Sequence, residues 1–166
     1  MKNIVLCGMM GCGKTTCAQL LGKKLNRPVV DTDELVETMA GMTISELFAQ
    51  QGEEAMRDLE TQAARDLGQR DGLIIATGGG LPLRKENREA LRNAGIVVFL
   101  RRDPGEIYDT ADMSGRPLGQ QGREAFLQRY TQREPIYRAF AHIIIEDFSS
   151  PEATVAEILD KLEESL

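Results

Sequence analysis

Residues 8–15 read Gly8-Met9-Met10-Gly11-Cys12-Gly13-Lys14-Thr15, which is the complete pattern G-x-x-x-x-G-K-S/T. The apolar residues 4–7 precede this stretch and predict a buried strand of a parallel sheet. Residues 16–25 follow it with apolar side chains at helical spacing and predict a helix. An ordinary glycine-rich turn needs no such placement, whereas a phosphate-binding loop lies between a strand and a helix. The position of these residues therefore favours a phosphate-binding loop.

The loop carries the residue types that hold the phosphates of a nucleotide. Glycines let backbone N–H groups turn toward phosphate oxygens, and the start of the helix adds a partial positive charge. Lys14 would bridge the β- and γ-phosphates, and the Thr15 hydroxyl would ligate Mg²⁺. Cys12 has two interpretations, a small residue that fits the loop or a thiolate favoured by Lys14 and the helix dipole. The predicted nucleotide-binding residues are Gly11, Cys12, Gly13, Lys14, Thr15 and Thr16.

Length and composition predict a single globular domain spanning residues 1–166, since the chain has 166 residues of which 42% are hydrophobic. A net charge of −6 and a pI near 4.9 argue against nucleic acid and anionic membranes as partners. We expect no secretory leader, and no apolar stretch approaches membrane-spanning length. The cysteines at positions 7, 12 and 17 fit neither a disulfide framework nor a metal-ligand pair. These features predict reduced thiols in a cytoplasmic protein.

Apolar strand-like runs alternate with helical runs along the chain, which is the pattern of an α/β fold with a parallel sheet. Strands are predicted at residues 4–7, 28–31, 73–76, 96–100 and 142–145. Helices are predicted at residues 16–25, 85–93 and 151–166. Another helix begins at residue 104 after an Asp103 N-cap, and a long helix ends near residue 139. Between the second and third strands, helical segments run to about residue 70 and break near Gly41 and Gly52. We interpret His142, the only histidine, as the start of a strand rather than a catalytic residue.

Ligands of such sheets bind at the carboxyl ends of the strands, and two clusters lie there. The first is Asp31-Thr32-Asp33-Glu34. It fits a helix start, in which Asp31 is the N-cap and Glu34 closes a capping box. Two carboxylates beside a phosphate-binding loop also suit a metal-bound water and a substrate hydroxyl. The position at a strand end favours the second interpretation.

The second cluster is Gly78-Gly79-Gly80, directly after the predicted strand at 73–76. Residues without side chains let a ligand approach the backbone and expose its N–H groups. Three consecutive glycines also cost conformational entropy on folding, so they are unlikely in a short turn without a reason. This segment is therefore predicted to contact the substrate.

Several further motifs accompany the phosphate-binding loop along nearly the whole chain. They are Asp31-Thr32-Asp33, Gly52-Glu53, Arg57, Glu60, Thr77-Gly78-Gly79-Gly80, Arg116-Pro117-Leu118 and Arg133-Glu134-Pro135-Ile136-Tyr137. In this order the motifs resemble those of shikimate kinases. The resemblance implies a P-loop kinase fold with five parallel strands in order 2-3-1-4-5 flanked by helices, and a mobile lid at about residues 111–122. It also implies transfer of the γ-phosphate of ATP to the 3-hydroxyl of shikimate, with Mg²⁺, by a monomer in aromatic amino-acid biosynthesis.

The same resemblance assigns roles on the substrate side. Asp33 would bind the reacting hydroxyl and act as or near the base. Arg57 and Arg133 would grip the shikimate carboxylate, a task that suits bidentate guanidinium groups. Glu60 would orient Arg57. The backbone of Gly78, Gly79 and Gly80 would complete the substrate site.

On the nucleotide side, Lys14 and Arg116 would join Asp33 as catalytic residues. Arg116 resembles the lid arginine that closes over the phosphates, and the glycines around it fit a segment that must open and close. Asp31 would hold Mg²⁺ through water, together with the Thr15 hydroxyl. Pro151, after the last strand, would contact the nucleotide.

Three features depart from the family pattern. Residues 109–112 contain no cation where relatives carry an arginine that stacks on adenine, so we expect weaker discrimination between nucleotide bases. Residues 148–151 lack another common arginine, although Pro151 matches. Met56 replaces a common phenylalanine beside Arg57 and would loosen the pocket wall without changing its polarity.

Three other functions fit parts of the sequence. A kinase of another small hydroxy acid, such as gluconate, would share the phosphate-binding loop but not the carboxylates, glycines and paired arginines together. A GTP-binding switch protein is suggested only by D-x-x-G at residues 112–115, without a following Asn-Lys-x-Asp. A catalytically silent nucleotide-binding module would explain the altered adenine side.

Overall fold

The computed structural model describes residues 1–110 and 122–164. Within them strands and helices alternate, as the sequence pattern predicts. The strands are β1 (Asn3–Cys7), β2 (Val29–Asp31), β3 (Ile74–Ala76), β4 (Gly95–Leu100) and β5 (Ile143–Ile145). The helices are α1 (Lys14–Leu25), α2 (Thr32–Ala40), α3 (Ile44–Leu67), α4 (Lys85–Ala94), α5 (Pro104–Thr110), α6 (Arg123–Phe140) and α7 (Pro151–Glu164), with a short 3-10 helix at Leu81–Leu83.

The strands form one parallel sheet in the order β2-β3-β1-β4-β5, which confirms the predicted order. In the register of this sheet Leu6 of β1 lies between Ala76 of β3 and Val98 of β4. All five residues of β1 are buried, because this central strand is covered on both faces. The carboxyl ends of β1, β2 and β3 therefore meet at one edge of the sheet, where the predicted site residues follow.

Two apolar clusters hold the helices in place. The larger cluster surrounds the sheet and includes β1, the inner face of α1 and the apolar residues of α7. The smaller one joins α2 to α3 through Val36, Leu47, Met56 and Ala63. Gly52 breaks α3 at the predicted position with φ 87°, a backbone conformation that favours glycine. Arg57 follows this break, so the kink determines the direction of the helical segment that contains Arg57.

Some predicted boundaries differ from the structure. Helix α1 begins at Lys14 rather than Thr16, so the loop lysine lies in the first helical turn. The 3-10 helix at Leu81–Leu83 was not predicted, because a three-residue element has no periodicity to detect. The predicted lid lies outside the described residues except for Gly122. No helix in the described part of the chain is long and apolar enough to cross a membrane.

Candidate active site

A cavity of about 400 Å³ opens at the carboxyl ends of β1, β2 and β3. Its size lies in the range of pockets that bind small molecules. Helices α2 and α3 form one side of this cavity, and α6 contributes Arg133. The predicted site residues that line it are Gly11, Gly13, Lys14, Thr15, Thr16, Asp31, Asp33, Arg57, Gly78, Gly79, Gly80 and Arg133.

The phosphate-binding loop wraps around the side chain of Lys14. Lys14 is buried, and its Nζ donates hydrogen bonds to the carbonyl oxygens of Gly8 at 2.7 Å and Met9 at 2.9 Å. Gly13 precedes α1 with φ 99°, and no side chain of the described residues caps this helix start. The first N–H groups of a helix need acceptors, and a phosphate group can supply them. The loop therefore fits a nucleotide phosphate chain.

Asp31 joins the phosphate-binding loop to the start of α2. Its Oδ2 accepts a hydrogen bond from the Thr15 hydroxyl at 2.9 Å. Its Oδ1 accepts from the backbone N–H groups of Asp33 at 2.9 Å and Glu34 at 3.3 Å. One carboxylate thus serves both as the helix cap and as the partner of Thr15. The N-cap role of Asp31 is confirmed, but among the described residues the contacts of this helix start contain no capping box with Glu34. The roles toward a metal-bound water and a substrate hydroxyl stay predictions.

The Thr15 hydroxyl and the Asp31 carboxylate suit Mg²⁺, which does not need a complete shell of protein ligands. No group of three or more His, Cys, Asp or Glu side chains among residues 1–110 and 122–164 could hold a metal ion. Magnesium commonly takes one or two protein oxygens and completes its shell with phosphate oxygens and water. A hydroxyl and a carboxylate 2.9 Å apart beside a phosphate-binding loop match that pattern.

The glycine segment after β3 is shaped by side chains of this protein. The N–H of Gly78 donates to the Thr32 hydroxyl at 2.7 Å, which fixes the segment to the end of β2. A Cβ atom at Gly78 would collide with the Asp33 carboxylate, and a Cβ at Gly80 would collide with the Arg57 guanidinium. Glycine suits Gly78 and Gly80 because these side chains approach the backbone closely. Backbone conformation does not require it, since none of the three glycines has a positive φ.

Arg57 is held by two carboxylates of its own helix. Its Nη1 lies 2.8 Å from Oε1 of the buried Glu60, and its Nη2 lies 3.1 Å from Oε1 of Glu53. Burial lowers the pKa of Arg57, but the two carboxylates outweigh burial and the net shift is upward. Burial also raises the pKa of Glu60, against the opposing charge of Arg57. Arg57 is thus a fixed cation on the cavity wall, and Glu60 has the orienting contact predicted for it.

Arg133 reaches the same cavity from α6. The residue is only 6% exposed, and its Nη1 is buried without a hydrogen-bond partner in the described part of the chain. A Cβ atom built on Gly79 would lie 3.5 Å from this nitrogen, which places it over the glycine segment. A buried charged donor without a protein acceptor is costly, so an anionic ligand bound at this position would be stabilised.

The surroundings of Arg133 add to the positive potential at this end of the cavity. Arg129 lies one turn earlier on α6, and its pKa is lowered first by burial and then by the charge of Arg133. This third arginine was not among the predicted site residues. Its spacing of four from Arg133 places both on one face of a helix and was a signal that could have identified it.

Besides Met56, which was expected in the pocket wall, the cavity contains residues to which the sequence analysis assigned no role. Ile44, Phe48 and Met56 contribute apolar side chains to its lining. Glu37 lines the cavity, and its Oε2 accepts a hydrogen bond from the N–H of Ile44 at 2.7 Å. These residues come from helix faces whose apolar spacing also fits ordinary core packing. Their place in the cavity depends on how α2 and α3 pack together.

Three predicted site residues lie apart from the cavity or beyond the described residues. Cys12 is only 2% exposed, and its Sγ lies 3.7 Å from Lys14 Nζ beneath the loop. Pro151 is exposed at the first position of α7 and does not line the cavity. Arg116 lies outside the described residues. His142 also lies away from the cavity, where its Nδ1 accepts a hydrogen bond from Val97 N–H at 2.9 Å.

Comparison with known proteins identifies relatives over nearly the full length of this chain. The family model for shikimate kinase matches residues 10–163. A shikimate kinase from Symbiobacterium thermophilum is 45% identical over 168 residues, which cover 98% of this chain and 97% of that protein. A structure of shikimate kinase from Acinetobacter baumannii in complex with shikimate matches with a TM-score of 0.92 and 34% identity, over 99% of this chain and 94% of that one.

A more distant structural match shares the fold of this chain but little of its sequence. A gluconokinase from Sinorhizobium meliloti matches over 98% of this chain and 92% of its own, with a TM-score of 0.61 and 15% identity. At that identity the likeness shows the fold alone. The family model and the close relatives go further, because they match the sequence over nearly its whole length. This chain belongs to the shikimate kinase family.

Proposed function

We propose that this protein transfers the γ-phosphate of ATP to the 3-hydroxyl of shikimate and releases shikimate 3-phosphate. The observation that carries the proposal is the buried Nη1 of Arg133, which lacks a hydrogen-bond partner among the described residues and lies over Gly79. This nitrogen shares one cavity with Arg57 and with the phosphate-binding loop. An acid-binding pair of arginines beside a phosphate-binding loop fits a carboxylated alcohol as phosphate acceptor.

The shape of the cavity supports a small carboxylated ring as substrate. Arg57 and Arg133 supply guanidinium groups for the carboxylate, while Phe48 and Met56 supply an apolar wall for the ring. Asp33 lines the cavity next to Gly78. We assign Asp33 to the reacting hydroxyl, whose proton it would accept as or near the base.

The nucleotide side follows the requirements of phosphoryl transfer, which depend on alignment and charge neutralisation more than on covalent help. Lys14 would neutralise charge on the transferred group. Thr15 and Asp31 would hold Mg²⁺, which supplies further neutralisation when it is bound. Arg116, proposed from the family pattern, would add a mobile cation. Cys12 and Pro151 would contribute packing around the nucleotide rather than chemistry.

One experiment distinguishes the proposed function from two alternatives, a kinase of another small hydroxy acid and a catalytically silent nucleotide-binding module. A coupled assay of ADP release with ATP and Mg²⁺ should show turnover that depends on shikimate and saturates with its concentration. Gluconate at the same concentration should give a rate close to the blank without acceptor. Turnover with gluconate and none with shikimate would favour the other hydroxy-acid kinase. A protein that binds ATP but turns over with neither acid would be the silent nucleotide-binding module.

The nucleotide base is expected to be recognised weakly. Residues 109–112 offer no cation to stack on adenine, and a lost cation–π contact is worth about 0.5 to 2 kcal/mol. Asp109 is instead paired with Arg123, whose Nε lies 3.1 Å from its Oδ1. We expect GTP and CTP to bind within about tenfold of ATP in competition calorimetry, since that factor corresponds to about 1.4 kcal/mol. A preference for ATP above about a hundredfold would contradict this expectation.

The localisation, oligomeric state and partners of this protein stay predictions from the sequence. We infer a cytoplasmic monomer that recognises small molecules and neither nucleic acid nor membranes. The net charge of −6 supports the absence of nucleic-acid and anionic membrane partners.

A further inference from the structure

Tyr137 lies in α6 one turn beyond Arg133, and its side chain is wholly buried behind the cavity wall. Its hydroxyl donates a hydrogen bond to the carbonyl oxygen of Gly79 at 2.6 Å and lies 3.6 Å from the Met9 sulfur. One phenol therefore contacts the segments that follow both β1 and β3. The proposed function above gives this residue no role.

Arg133 also lies near the Tyr137 phenol. Burial raises the pKa of the phenol, and the positive charge of the Arg133 guanidinium opposes that shift. The net direction is upward, so the hydroxyl keeps its proton and remains a donor to Gly79. A phenolic hydroxyl can donate one hydrogen bond and accept another at the same time. Tyr137 and Arg133 thus both lie against Gly79, the phenol through its hydrogen bond to the carbonyl oxygen and the guanidinium with Nη1 3.5 Å from the Cβ position of this glycine.

The ring of Tyr137 is well suited to act as a fixed point. Its centroid lies 5.4 Å from that of Phe99 on β4, and both side chains are wholly buried. An arginine side chain loses much rotamer entropy when a ligand orders it, whereas a buried aromatic ring is already ordered. A guanidinium held beside such a ring and over the glycine that the ring fixes would lose less entropy when it binds a carboxylate.

We propose that Tyr137 is a positioning residue for the carboxylate clamp, fixing Arg133 and the Gly79 backbone relative to each other. This inference rests on the proposed function, because it assigns the clamp to the shikimate carboxylate. Tyr137 touches neither substrate nor nucleotide in this assignment. Its hydroxyl acts through the orientation of Arg133 Nη1, the buried nitrogen over Gly79.

The test is Tyr137→Phe, which keeps the ring against Phe99 and removes only the hydroxyl. We expect the Kd and KM for shikimate to rise about tenfold, because the Gly79 carbonyl would lose its donor and the glycine would no longer be fixed relative to Arg133. The KM for ATP and kcat should stay within about twofold. A purely structural role would change Tm and both KM values together, and would not single out shikimate.

Tyr130→Phe is the matched control, because Tyr130 lies on the same helix and does not line the cavity. It should leave all constants within about twofold. The second measurement is a double-mutant cycle with Arg133→Ala. If Tyr137 acts through Arg133, Tyr137→Phe should change shikimate affinity by less than twofold in the Arg133→Ala background.

The outcomes separate this inference from the proposed function. Equal shikimate affinity in the parent protein and Tyr137→Phe would overturn the inference and leave the proposed function intact. A tenfold loss that persists in the Arg133→Ala background would also overturn it, because the hydroxyl would then act without Arg133. A parent protein that does not bind shikimate in calorimetry would contradict the proposed function and the inference with it.

Discussion

Lys14→Ala should lower kcat by about a hundredfold to a thousandfold while the protein stays folded. Lys14 is buried in the phosphate-binding loop, with its Nζ on the carbonyl oxygens of Gly8 and Met9. Removing one preorganised charge from a site of developing negative charge typically costs a factor of about 10² to 10³. The measurement is the coupled assay at saturating ATP and shikimate, with circular dichroism to establish folding.

Lys23→Ala is the control for this variant, because Lys23 is an exposed lysine of the same helix. It should change kcat by less than about twofold. If Lys14→Ala turned over at a near-normal rate while folded, residues 8–15 would not be the phosphate-binding loop of the reaction.

Arg133→Ala should lower kcat/KM for shikimate by one to three orders of magnitude and leave ATP affinity nearly unchanged. Losing one partner of a buried charge pair costs about 2 to 5 kcal/mol. Arg133 is a cleaner target than Arg57, because truncating Arg57 would also leave the buried Glu60 without its cation. Arg57→Ala should therefore lose both shikimate affinity and thermal stability.

Shikimate methyl ester offers a control on the substrate. The parent protein should bind the acid far more tightly than the ester, whereas Arg133→Ala should discriminate much less between them. Arg138→Ala, which removes a half-exposed arginine from the same helix, should behave like the parent protein. Retained affinity for the acid in Arg133→Ala would show that another group binds the carboxylate.

Much of the fold could be predicted because its signals are local. Residues 4–7 are continuously apolar, as a strand buried on both faces requires, and the glycine loop and helix follow immediately. The order of the strands has no local signal, since periodicity does not say which strands pair. It was predicted from the family resemblance, and the sheet confirms it.

The candidate site could be predicted only in part, for a physical reason. Asp31 and Asp33 are detectable because they follow a strand, and Arg57 because it belongs to a motif. Tyr137 ends a motif and Phe48 lies on a helix, but both aromatic side chains also fit core packing, so their contacts emerge only when the helices are docked. The reason for glycine at Gly80 likewise requires the tertiary position of Arg57.

Phosphorus NMR of the product tests the central claim most directly. The protein is incubated with ATP, Mg²⁺ and shikimate, and the phosphorus spectrum is followed together with ADP release. We predict one new phosphomonoester per ADP, with its phosphorus coupled to the proton on carbon 3 of the shikimate ring. ADP with only inorganic phosphate, or an ester on another hydroxyl, would contradict the account.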